Sequence, residues 1–342
     1  MSEPRRQIIL VHGRSTKPSA HEKRRLVRIA LRNGVRRTSE EAFGLLRDGQ
    51  VSVTLAYYGD ISNRVIARKG SDFLTAHDPE HDWAPCEPDG YYDAAMARSM
   101  SRPTRAFTAE DYGLLLKQER DARLVDEVAA IASRLAGVLG LNEVLVRHSS
   151  PDSLAYFTEP EIGEAIRERV ATPILDALRA GRQICLICHS MGCVVAYDVL
   201  WRISRMPEYQ LAADPPPALV DLWLTLGNPL GEPGVRANLL DAKELPDDRF
   251  PRRILHNWIN LSAEDDYIAH DKTVADDYRE MLELGYLHRL VDRPPIYNFW
   301  VQGKRSNPHK LYGYLDHPAV GGEIARWILG QKPTDPDPEL MD

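Results

Sequence analysis

Short apolar runs alternate along this chain with longer stretches whose apolar residues recur every three or four positions. Residues 8–11 form such a run, ended by His12-Gly13, and residues 51–58 (VSVTLAYY) form a β-branched, aromatic one closed by Gly59. Residues 184–188 (ICLIC) are continuously apolar, as a strand covered on both faces must be. Residues 220–226, 255–261 and 296–301 repeat the pattern, each ended by Gly, Ser or Asn chemistry. Helical periodicity marks residues 122–139 and 162–178, and residues 22–37 (EKRRLVRIALRNGVRR) read as a basic amphipathic helix covering a sheet. Strands alternating with helices predict βαβ units, hence an α/β fold with a doubly wound, mostly parallel sheet.

Residues 60–121 break the alternation. They are rich in Asp, Pro, Gly and Arg and show no strand pattern, so they are expected to form a lid or cap inserted in one domain spanning 1–331. The tail, 332–342 (KPTDPDPELMD), has the composition of a disordered segment.

With 43% hydrophobic and 27% charged residues, the chain can bury a sizeable core. A net charge of −7 gives no basic signature for a nucleic-acid partner. No apolar run is long enough for an integral membrane segment, and the N-terminal run is too short for a secretory signal. Three of the four cysteines (Cys185, Cys188, Cys193) crowd one strand and the helix after it, with Cys86 elsewhere, which is no disulfide framework. A cytoplasmic location is the expectation.

The informative stretch is RQICLICHSMGCVVAYDVLW, residues 182–201. An apolar strand runs into Cys188-His189-Ser190-Met191-Gly192, and a helix starts at once, the strand–turn–helix context of a nucleophile elbow. The turn is tight enough that the positions two before and two after the serine must be small. Gly192 meets that need; Cys188 stands where glycine is usual. Ser190 is the candidate nucleophile, against the plainer reading that it caps the following helix.

A serine hydroxyl needs a base, and the base an orienting carboxylate. With such an elbow the chain order is serine, acid, histidine, each past the carboxyl end of a strand. Past strand 255–261 lies Glu264-Asp265-Asp266; Asp266 is preferred, then Asp265, then Glu264. Past strand 296–301 lies His309, favoured as the base over His317, which stands at a helix N-terminus where the dipole opposes an imidazolium. Acyl transfer also requires two backbone N–H groups aimed at the developing oxyanion. Met191, directly after the serine, and Arg14, directly after His12-Gly13, are positioned in sequence to supply them.

Residues 8–14 (IILVHGR), 184–200 (ICLICHSMGCVVAYDVL), 224–231 (LTLGNPLG), 258–271 (WINLSAEDDYIAHD) and 307–318 (NPHKLYGYLDHP) resemble α/β-hydrolases of the bacterial lipase/esterase type. The resemblance spans the sheet from first strand to last helix and omits the middle insertion. It implies a Ser190–Asp266–His309 triad, Arg14 and Met191 as oxyanion donors, a small-molecule or lipid ester as substrate, and neither metal nor organic cofactor. A catalytically inactive interaction module and an acyltransferase or peptidase with the same triad are the alternatives. His77, His81 and Cys86 offer ligand-type side chains, but Pro79 interrupts the helical turn that a metal site would need, so a solvated loop is expected there. Acyl chain length and oligomeric state have no signature.

Overall fold

The apolar runs form strands because neighbouring side chains point to opposite faces and both faces are covered. In the computed structural model β1 (Arg6–Val11) shows this directly: Ile9 and Val11 enter one hydrophobic core, Ile8 and Leu10 the other. The structure describes residues 5–68, 150–207 and 219–332, except 265, 267, 268, 270, 294, 299, 303 and 304. The insertion from 69 onward, the expected helix at 122–139, the His77–His81 group with Cys86, Asp265, His270 and the tail from 333 lie outside the described residues.

After β1 come α1 (Ala20–Thr38), α2 (Glu40–Arg47), β2 (Val51–Ala56) and α3 (Gly59–Arg68). Then follow α4 (Pro151–Thr158), α5 (Pro160–Arg179), β3 (Gln183–His189), α6 (Met191–Arg205) and β4 (Val220–Leu226). The remainder is α7 (Pro233–Arg236), β5 (Leu255–Leu261), α8 (Arg279–Glu283), β6 (Arg289–Asp292), a two-residue hairpin pair β7 (Val301–Gln302) and β8 (Arg305–Ser306), α9 (Leu311–Asp316) and α10 (Pro318–Ile328). Six strands make one all-parallel sheet in the order β2-β1-β3-β4-β5-β6, with helices on both faces, an α/β architecture.

Two elements depart from the expectation. The region from Asp60 opens as helix α3, whose Ile61, Val65 and Ile66 are buried, rather than as an irregular insertion. The last strand of the sheet is β6, not residues 296–301. After Arg293, whose amide donates to the Asn260 carbonyl at 2.9 Å, Pro295 offers no N–H donor, and Ile296 takes up the pairing in a single parallel bridge to Ala263. The basic helix is α1: Leu26, Val27, Leu31 and Val35 pack into the core while Arg24, Arg25, Arg28, Arg32 and Arg36 face outward.

The sheet order also locates a crevice. From β1 the chain winds out to β2 and returns past β1 to β3. Helix α1, after β1, packs on one face, and α6, after β3, packs on the other. The carboxyl ends of β1 and β3 are therefore the switch point, where an open parallel sheet leaves a ligand crevice. His12-Gly13 and His189-Ser190 stand there. Among the described residues no helix is long and apolar enough to cross a membrane.

Candidate active site

Between β3 and α6 the chain reverses in one residue. Ser190 has φ 53° and ψ −130°, a conformation that L residues avoid and that costs on the order of 1–3 kcal/mol. Its amide donates to the Leu226 carbonyl at 3.0 Å, tying the turn to the end of β4. Although Ser190 occupies the N-cap position, its side chain makes no capping hydrogen bond, which removes the helix-cap reading of this serine.

The small residues around it have identifiable reasons. A Cβ on Gly192 would lie 2.6 Å from the His12 carbonyl oxygen and 2.9 Å from that of Val11, so only glycine lets α6 start against the end of β1. Cys188 is fully buried, and its sulfur accepts from the Trp223 indole N–H at 3.3 Å. Burial pushes the thiols of Cys185, Cys188 and Cys193 up, which keeps them protonated and unreactive.

His309 and Asp266 come together from loops 43 residues apart. His309 Nδ1 lies 2.6 Å from Asp266 Oδ2, with both side chains fully buried. A carboxylate only accepts, so Nδ1 carries a proton, and in the neutral ring this leaves the lone pair on Nε2, the tautomer a general base requires. The Tyr314 hydroxyl also donates to Asp266 Oδ2, at 2.7 Å, while accepting from the Ala263 amide at 2.7 Å. The acid-bearing loop is closed from behind by Lys272, whose Nζ donates to the carbonyls of Ala263, Asp266 and Ala269 at 3.0–3.3 Å. His309 is anchored beside the elbow: its carbonyl accepts from His189 Nε2 at 2.7 Å, and the two imidazoles lie 4.7 Å apart. Gly227, at φ 51°, passes under the pair. A Cβ there would sit 2.8 Å from Asp266 Oδ2 and 3.0 Å from His309 Nδ1.

His317 is otherwise employed. As N-cap of α10 its Nδ1 accepts from the Ala319 amide at 3.0 Å, and burial lowers its pKa to about 4. His256 and His288 stack at the opposite, amino edge of the sheet, beside a cavity of about 560 Å³ also lined by Arg6 and Asp221.

Arg14 and Met191 face a common brace. The loop after β1 folds around Lys17, whose ammonium donates to the carbonyls of Arg14, Ser15 and Thr16. Asp152, at the start of α4, accepts from the Ser15 amide at 2.8 Å, and the Ser153 hydroxyl donates to Met191 Sδ at 3.2 Å. Among the described residues neither the Arg14 nor the Met191 amide donates to another backbone carbonyl. Tyr58 fixes His12: its amide donates to His12 Nε2 and its hydroxyl to the His12 carbonyl. The positioning groups Asp152, Gly227, Lys272 and Tyr314 escape sequence reasoning because each acts through a fold contact; only the Ser-Pro-Asp helix start at 150–152 leaves a local mark.

No protein-family model matches the chain, and no curated protein matches it.

Proposed function

We propose that this protein is a serine hydrolase of the α/β-hydrolase kind, cleaving a carboxylic ester through Ser190, His309 and Asp266. The observation carrying the reading is a pairing at one sheet edge: an uncapped serine in a strained strand-to-helix turn, and a buried His–Asp pair hydrogen-bonded to the residue before it. Strain at the serine and burial of a carboxylate both cost stability, and neither helps α6 or the core to form. A reactive role accounts for both. It also disfavours an inactive interaction module, for which neither feature has a use.

In the proposed reaction His309 Nε2 takes the Ser190 proton as the hydroxyl oxygen attacks the ester carbonyl. The oxyanion accepts from the Arg14 and Met191 amides, and Asp266 holds the imidazole in its Nδ1–H tautomer and stabilises the imidazolium. His309 then protonates the leaving alcohol. Water, deprotonated by the same imidazole, releases the acyl group and regenerates Ser190.

The test is hydrolysis of p-nitrophenyl esters from acetate upward in chain length by wild type, Ser190→Ala and His309→Ala. Turnover by wild type and its loss in both variants is expected; equal rates in all three would exclude the proposal. Adding a competing alcohol separates hydrolysis from acyl transfer by the products formed.

A further inference from the structure

Arg14 lies in the turn that follows β1, beside the candidate oxyanion amides. Its side chain is 5% exposed, and its Nε is buried without a hydrogen-bond partner. Among the described residues its guanidinium joins no ion pair. Taking a guanidinium out of water without a counter-charge is costly. Among the described residues, two buried carboxylates at this edge are committed elsewhere. Asp152 accepts from the Ser15 amide and the Ser150 hydroxyl, and Asp266 from His309, Tyr314 and the Ala269 amide.

More positive charge collects at the same edge. Lys17, Lys23 and Lys310 are all at least nine-tenths buried. Lys17 donates to backbone carbonyls, and Lys23 donates to the Tyr312 hydroxyl at 2.8 Å with its ammonium 4.3 Å from that ring's centre; Lys310 lies 5.7 Å from the same ring.

We propose that the ester this site takes carries an anionic group, a carboxylate or a phosphate, and that the Arg14 guanidinium binds it. The planar fork of arginine matches either group through two parallel N–H···O bonds. This substrate class rests on the esterase reading of Ser190, so its test separates binding from turnover.

Ser190→Ala is titrated calorimetrically with methyl hydrogen glutarate, a monoanion, and with dimethyl glutarate, its neutral counterpart. With Arg14 present the monoanion is expected to bind about tenfold tighter or more. Arg14→Gln in the same background should erase the difference, and Arg14→Lys, which keeps the charge, should restore part of it. Displacement by inorganic phosphate at lower concentration than by glutarate would assign a phosphate group, and the reverse a carboxylate. Equal binding of the two glutarate compounds in the Arg14 protein, or displacement by neither anion, overturns the inference. The binding difference intact in a wild type that turns over no ester would instead remove the hydrolase reading alone.

Discussion

Gly227→Ala tests the site at the point where space is tightest. The added methyl would stand 2.8 Å from Asp266 Oδ2 and 3.0 Å from His309 Nδ1 and Cε1. Ordinary van der Waals contact begins at 3.4 Å, so the carboxylate must retreat by about 0.6 Å and the imidazole by about 0.4 Å. Neither can retreat freely, because Asp266 is held by Tyr314 and the Ala269 amide and His309 by its carbonyl bond to His189. The φ of 51° adds roughly 1–2 kcal/mol for any L residue. With about 1–3 kcal/mol from overpacking, unfolding free energy should fall by about 2–5 kcal/mol. A displacement of half an ångström in a base and its orienting group is expected to lower kcat/KM by roughly 10- to 100-fold. Denaturant unfolding and ester hydrolysis measured on the same preparation separate the two effects. A folded Gly227→Ala protein with wild-type kcat/KM would refute the claim that this His–Asp pair serves the reaction.

Asp266→Asn should leave the fold intact yet lower kcat by about 10⁴-fold, because an amide facing Nδ1 no longer fixes the useful tautomer; steady-state kinetics decides. Tyr314→Phe strips one donor from Asp266 and leaves the buried Ala263 amide unsatisfied, with an expected loss of about 1–3 kcal/mol by urea unfolding and a smaller fall in kcat than Asp266→Asn gives. His317 has its pKa lowered by burial from 6.5 to about 4, so the folded state disfavours its protonation. Its contribution is complete above pH 6.5 and is lost as the pH falls towards 4, a change of about 3 kcal/mol. His317→Asn keeps a cap acceptor but does not titrate, so its stability should fall less than wild type between pH 7 and pH 4.5; parallel curves would contradict this. The comparison must be between the two proteins, since Asp198, raised by burial to about 6, gains stability over the same acid range.

The strands nearest the site are legible because they are buried on both faces. ICLIC and VDLWLTL could be little else, and β3 and β4 occur within a residue of the apolar runs. The edge of the sheet is less legible: β6 is only four residues long, and the two prolines after it hide its continuation at Ile296. The turn at Ser190 is readable from its small neighbours, since Gly192 is required by backbone atoms of β1 directly across from it. That Asp266 and His309 would meet was an expectation from chain order alone, and the structure brings them to 2.6 Å. By contrast, nothing local in the sequence distinguishes Tyr314 from Tyr312, yet one donates to Asp266 and the other meets Lys23. Which tyrosine faces the acid is fixed by how α9 docks, a long-range result that no short window contains.

Covalent capture shows whether Ser190 is the reactive nucleophile. Wild type is treated with a fluorophosphonate, digested, and its peptides are weighed by mass spectrometry. One adduct is expected, on Ser190, absent from Ser190→Ala and formed far more slowly in His309→Ala. Equal labelling of wild type and Ser190→Ala, or an adduct on another residue, would contradict it.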